Sequence, residues 1–293
     1  MIVSASYRTD IPAFYGNWFV NRLQAGYCKT RNPYGGSPGR IELSPTAVDG
    51  IVFWTRNLEP FASGLLAVER LGIPFVVQYT ITGLPRVLER SVIDSTRAVA
   101  QMQKLRERYG PRVTVWRYDP IVITDCTSPE WHKANFARLA AALKGVTDEV
   151  TVSIMKPYRK TIRNLDSAAR SAGFVWRDPS VEEKRALLAS LTAIAADHGM
   201  KLTLCTQPEL SNIAGTYPAA CIDAERLCDI ADKSILIKQK GNRPGCFCAE
   251  SRDIGAYDSC PHGCVYCYAV NSRDAAHHAF TEHNQNSEFL TNR

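Results

Sequence analysis

The chain has 293 residues, 45% of them apolar and 22% charged, and 35 Lys and Arg against 29 Asp and Glu give a formal net charge of +6. These proportions exclude a disordered chain, and a protein of this length buries roughly 75% of its unfolded surface, so its core needs no disulfides. No window reaches the ~20 apolar residues of a membrane span, and the opening MIVSASYRTD lacks the basic and apolar stretches of an export signal; a cytoplasmic protein without membrane contact is expected.

In chain order, short β-rich runs are predicted at residues 2–6, 50–55, 75–82, 113–118, 149–154, 201–205 and 234–238. A helix over 12–24 places Phe14, Trp18 and Leu23 on one face and stops at Gly26. Residues 32–40, with Gly35, Gly36, Pro38 and Gly39, read as a turn before a short strand at 40–43. Further helices are predicted over 91–109, 128–143 and 180–198, the last after an Asp-Pro-Ser start and before Gly199. Strands separated by helices of 10–15 residues imply parallel βαβ units, and right-handed crossovers throughout would curl the sheet into a TIM-like (β/α) barrel. Rossmann-like double winding is the second arrangement considered. No GxGxxG or GxxxxGK[ST] follows a strand, which sets dinucleotide and P-loop sites aside. The division expected is a barrel over 1–241 and a Cys-rich segment over 242–293 on its mouth. The segment would end in a frayed polar tail that carries His277, His278 and His283.

In such a barrel the active site lies at the carboxyl ends of the strands. Polar residues at those ends include Arg8, Asp10, Arg56, Gln78, Arg117, Asp119 and Lys238. Asp10, Arg117 and Asp119 are the candidate catalytic groups. Arg8, Arg56, Gln78 and Lys238 are the candidate cofactor- and substrate-binding groups, because Arg offers a planar bidentate donor to carboxylate or phosphate. Asp10, just before Pro12, is equally placed to cap a helix. The isoelectric point of about 8.8, with no long basic run, suits a small anionic or nucleotide-like substrate and does not demand nucleic acid.

Ten cysteines in a reducing compartment call for something other than disulfides. Cys28, Cys126 and Cys228 read as small buried apolar residues. Cys246, Cys248, Cys260, Cys264 and Cys267 fall within 245–268. Three thiolates within eight residues can surround one iron–sulfur cube if their loop wraps, and Pro261 and Gly263 favour a turning path. Two uses remain open for Cys246 and Cys248. They could supply a fourth ligand that closes this cluster, or join Cys221 and Cys205 around an auxiliary one. A four-thiolate zinc site built from Cys246, Cys248, Cys264 and Cys267, with His262 or Cys260 as substitutes, is the rival metal reading.

The pattern Cys260-x3-Cys264-x2-Cys267, with Tyr266 just before its last cysteine, resembles that of the radical S-adenosylmethionine (SAM) superfamily. The resemblance implies that these three cysteines ligate a [4Fe–4S] cluster whose fourth iron binds SAM, and that Tyr266 packs near the bound nucleotide. Reduction by the cluster then cleaves SAM to a radical that abstracts hydrogen. The whole chain up to about Ala269 also resembles a bacterial domain-of-unknown-function family. The segments that carry this likeness are SxRTDIPAFY, VFWTRN, QYTITG, WRYDPI and GCxCxxSxDIGxYDxCxHGCxYCYA. Radical SAM enzymes usually place the cysteine loop after the first strand of a partial barrel and a Gly-Gly-Glu segment after the second. Here the loop comes last, with 26 residues after Cys267, and no Gly-Gly-Glu follows. A circular permutation would reconcile the two, with 234–238 as the strand before the loop and 268–278 as the helix after it.

The function expected is an iron–sulfur, radical-SAM-like enzyme fed by an electron donor such as flavodoxin or ferredoxin. The rivals are a zinc- or cluster-stabilised module that binds nucleotides or nucleic acid, with Trp54, Trp116, Tyr79 and Tyr118 as stacking surfaces, and an electron-transfer or redox-sensing protein.

Overall fold

A computed structural model describes residues 1–32, 35–235, 238–241 and 243–291. The strands are β1 (Ile2–Ala5), β2 (Tyr27–Thr30), β3 (Gly39–Glu42), β4 (Gly50–Thr55), β5 (Phe75–Thr80), β6 (Thr114–Ile121), β7 (Glu149–Ile154), β8 (Lys201–Leu204), β9 (Thr216–Pro218) and β10 (Ser251–Asp253). The helices are α1 (Ile11–Phe14), α2 (Gly16–Ala25), α3 (Ala62–Arg70), α4 (Ser95–Tyr109), α5 (Pro129–Leu143), α6 (Arg159–Ala172), α7 (Val181–Asp197), α8 (Ala224–Ala231) and α9 (Arg273–Thr281).

Local chemistry explains several of these boundaries. Ser180 and Glu183 form a reciprocal capping box at the start of α7, so two otherwise orphaned backbone donors find partners. Asp94 and Ser128 cap α4 and α5 with a single side-chain acceptor each, and Pro129 opens α5, where its missing N–H costs nothing. The expected helix over 12–24 is in fact two pieces. Asp10 caps a single turn, α1, and Tyr15 breaks the path before α2 continues to Gly26.

Eight strands form one parallel sheet in the order β10-β1-β4-β5-β6-β7-β8-β9, while β2 and β3 make a separate antiparallel hairpin. From β1 to β9 the sheet runs in chain order, and only β10 is added from the far end of the chain. The two faces are filled differently. Residues such as Val3, Ile51, Phe53 and Val77 join the large core with Trp18, Phe19, Leu65, Met102, Phe136 and Leu188 of the helices. Their strand neighbours Ile2, Val52, Val76 and Val115 point the other way, onto Leu227 of α8 and onto Cys205, Cys221 and Cys248. No pairing joins β9 to β10 among the described residues, so closure into a ring is not part of the described ladder.

The structure corrects the expected layout in four places. The strand that precedes the cysteine loop is β10, not 234–238, and the latter run includes residues 236 and 237, which lie outside the described residues. β2, β9 and β10, together with α3, α6 and α8, carried no strong sequence signal. The helix after the loop is α9, which starts at Arg273 rather than at 268. The tail is not frayed. The backbone N–H of Lys29 donates to Glu288 O at 2.8 Å, Trp18 Nε1 donates to Ser287 O at 2.9 Å, and Leu290 is buried. His277 and His278 face solvent on α9, whereas His283 packs edge-on against Tyr15. Residues 243–291 are thus built into the sheet and its helices.

Candidate functional site

The carboxyl ends of the parallel strands surround a cavity of about 340 Å³. Arg8 and Asp10 reach it from the end of β1, Arg56 from β4, Arg117 and Asp119 from β6, Ser153 from β7 and Cys205 from β8. Five cationic side chains, Arg8, Arg56, Arg117, Lys156 and Arg243, line it against two carboxylates, Asp10 and Asp119.

Cys260, Cys264 and Cys267 all face this cavity. Their loop is fixed to the sheet by several independent contacts. Residue 89 pairs with residue 264 in an antiparallel bridge, Val265 N donates to Leu88 O at 3.0 Å, and Ser91 N donates to His262 O at 2.9 Å. Asp10 Oδ2 accepts from His262 Nε2 at 2.7 Å and from the Arg56 backbone N–H at 2.7 Å, while its Oδ1 caps α1. Arg56 Nη1 lies 2.7 Å from Glu89 Oε1, and its Nη2 donates to Tyr266 Oη at 2.7 Å; the Thr82 and Tyr266 hydroxyls both donate to the same Glu89 oxygen. Gly263 supplies the positive φ of 69° at which the loop turns between the first two cysteines.

Burial pushes all three thiols upward. Cys264 is raised to about 12 by burial, opposed by Arg56 and helped by Glu89 and Cys267. Cys260 is raised by burial and then by Asp10 and Cys267, and Cys267 is raised chiefly by burial. A metal that took all three as thiolates would displace their protons. The donor set suits an iron–sulfur cluster: three thiols of one loop line the same cavity.

A second wall of the same cavity is formed by Cys205, Cys221, Cys246 and Cys248. Cys221 Sγ donates to Cys205 Sγ at 3.7 Å, and Cys205, Cys221 and Cys248 share one buried cluster with Cys246 packed against it. Among the described residues no group of three or more His, Cys, Asp or Glu side chains is placed to hold a single metal ion. Tetrahedral zinc, with Zn–S near 2.3 Å, would require all four sulfurs about 3.8 Å apart.

Two buried charges anchor the floor. Arg117 is 4% exposed; its guanidinium pairs with Asp119, and Nη1 also reaches Gln78 Oε1 at 3.2 Å and Cys221 Sγ at 3.1 Å. Ser153 donates to the other oxygen of Asp119. Arg8 pairs with Asp253 at 2.8 Å, and that carboxylate also accepts from Ser4 and Ser6, which ties β1 to β10.

The comparisons with known proteins bear on descent. The family model described as Domain of unknown function (DUF1848) matches residues 2–269. The chain belongs to the DUF1848 family. No curated protein matches it. A solved structure of a D-hydantoinase is similar over 78% of this DUF1848 chain with 8% identity and a TM-score of 0.33; the chain spans 44% of that protein's length. A likeness so remote carries no argument.

Of the residues singled out from the DUF1848 sequence, Arg8, Asp10, Arg56, Arg117, Asp119, Tyr266 and the seven cysteines 205, 221, 246, 248, 260, 264 and 267 converge on the cavity. Gln78 does not line it: the side chain is 1% exposed, and its Nε2 donates to Cys221 O at 2.9 Å. Lys238 is exposed and also lies away from the lining. Cys126 is exposed and Cys228 half-buried, so of the three cysteines expected in the core only Cys28 is fully buried. Glu89 and Asp253 were missed. Each is a lone acid in a loop or at a strand end, and only the arginine brought to it across the fold marks its role.

Proposed function

We propose that this protein is an iron–sulfur enzyme of radical-SAM type, in which Cys260, Cys264 and Cys267 hold a [4Fe–4S] cluster with one iron open to SAM. The observation that carries the reading is that three thiols of one anchored loop line a cavity at the carboxyl ends of parallel strands. Topology supports it. The loop follows the edge strand β10, whose neighbour is β1, and the sheet then runs in chain order to β9. The helices of the large core lie on one face only. A permuted, partial (β/α) barrel entered at its second strand would have this order.

When bound, such a cluster supplies the electron for reductive cleavage of SAM, and so a radical that takes hydrogen from the substrate. The chain's own residues prepare the site. Asp10 and Glu89 hold the loop through His262, Arg56 and Tyr266. Ser6–Asp10, at the end of the strand where Gly-Gly-Glu would be expected, present Arg8 and Asp10 to the ligand instead. Arg8, Arg56 and Arg117 are paired with carboxylates, whereas Lys156 and Arg243 have no carboxylate partner among the described residues, and these two favour an anionic substrate such as a carboxylate or nucleotide-like molecule. Arg117, held by Asp119, and Ser153 offer it oriented hydrogen bonds. A one-electron carrier such as flavodoxin or ferredoxin would serve as reductant.

The test is anaerobic purification, metal analysis, and assay for 5′-deoxyadenosine after addition of SAM and dithionite. Iron-bearing brown protein that forms 5′-deoxyadenosine, and loses this with Cys264→Ser, is the expected result. Zinc without iron, or iron without 5′-deoxyadenosine, overturns the reading.

A further inference from the structure

We propose that Cys205, Cys221, Cys246 and Cys248 hold a second iron–sulfur cluster, closed by four protein thiolates, separate from the one assigned to the 260–267 loop. The four come from three places in the chain: the end of β8, the loop after β9, and the loop before β10. The tertiary fold packs all four together on one wall of the cavity, with the Cys221 and Cys205 sulfurs 3.7 Å apart.

Three donors are aimed at these sulfurs. Arg117 Nη1 lies 3.1 Å from Cys221 Sγ, Arg243 Nη2 lies 3.7 Å from Cys205 Sγ, and the Ile222 backbone N–H lies 3.3 Å from Cys248 Sγ. Cysteines that merely fill a core need no such donors. A thiolate-ligated cluster carries negative charge, and hydrogen bonds to its sulfurs are one of the means by which a protein tunes it.

The loop is also built to shape. Ala249 N donates to Ile222 O at 2.9 Å and Lys240 N to Cys248 O at 3.0 Å, which clamps Cys248 between two segments. Gly241 sits so close that a Cβ there would lie 2.2 Å from Cys246 O.

The inference does not rest on SAM chemistry, and one experiment separates the two. Protein reconstituted anaerobically with ferrous iron and sulfide is analysed for iron and acid-labile sulfide, and by electron paramagnetic resonance after dithionite reduction. Wild type is expected to hold about eight irons in two signals. Cys246→Ser and Cys248→Ser should each lose one signal and about half the iron, while Cys264→Ser loses the other signal; circular dichroism checks that each variant folds. Cys246 is only half-buried, so its variant stays informative if Cys248→Ser misfolds. Full iron and both signals in the Cys246 and Cys248 variants overturn the proposal, as does one zinc per chain at this set. A wild type with about four irons that Cys264→Ser retains, and Cys248→Ser loses, supports this cluster while removing the other.

Discussion

Asp10 and His262 meet at 2.7 Å, Oδ2 to Nε2, across 252 positions of the chain. The same carboxylate caps α1 and accepts the Arg56 backbone N–H at the end of β4. One buried side chain thus joins the first helix, a central strand and the cysteine loop, so the loop's position is set by the start of the chain.

Replacing Asp10 therefore removes a cap and leaves two buried donors unpaired. Asp10→Ala should destabilise by about 2–4 kcal/mol, with Asp10→Asn, which retains a cap acceptor, costing distinctly less. Urea denaturation measures both, and equal losses would show that the cap is not what Asp10 contributes.

Glu89→Ala should be more damaging, by about 3–5 kcal/mol, because it strands the guanidinium of Arg56 in a buried site and deprives two hydroxyls of their acceptor. The variant should also bind less iron at the 260–267 loop, since the strand-like contact between 89 and 264 loses its side-chain support. Wild-type stability in Glu89→Ala would refute this account of the network.

At the opposite end of the strands, Arg226 is 1% exposed and its side chain bridges Asp148 at 2.9 Å and Glu149 at 2.7 Å. Arg226→Ala should cost about 3 kcal/mol, and Arg226→Met, which refills the space under α8, should cost less. Thermal unfolding of the two variants checks the order, and a Met variant no better than Ala would assign the effect wholly to charge.

His132 gives the stability a pH dependence. Its Nδ1 contacts the Tyr118 hydroxyl at 2.8 Å and its Nε2 the Val122 carbonyl at 3.0 Å, and burial depresses its pKa from 6.5 to about 4. The unfolded chain binds the proton more readily, so stability is fully present above about pH 6.5 and is lost as pH falls toward 4. The loss between pH 7 and pH 5 should be about 2 kcal/mol. Denaturation midpoints at the two pH values test this; His132→Gln should flatten the difference, and an unchanged slope would move the effect elsewhere.

Much of this protein was legible from residue order. Apolar runs and the Asp-Pro-Ser start at Ser180 located most parallel strands and the long helices, because those elements follow from interactions within a few residues, although α4 starts only after its cap Asp94 and not at 91. The spacing of Cys260, Cys264 and Cys267 likewise placed three thiols on one turn. Tertiary structure decided the rest, for a physical reason. Three-residue strands such as β9 and β10 carry no periodicity, so only pairing with β8 and β1 defines them. The partners of buried charges are chosen by packing: Arg8 finds Asp253 from 245 positions away, Arg56 finds Glu89 instead of facing the cavity freely, and Gln78 turns to Cys221. Which cysteines share a wall is a matter of where distant strand ends meet, and local sequence contains no record of that distance.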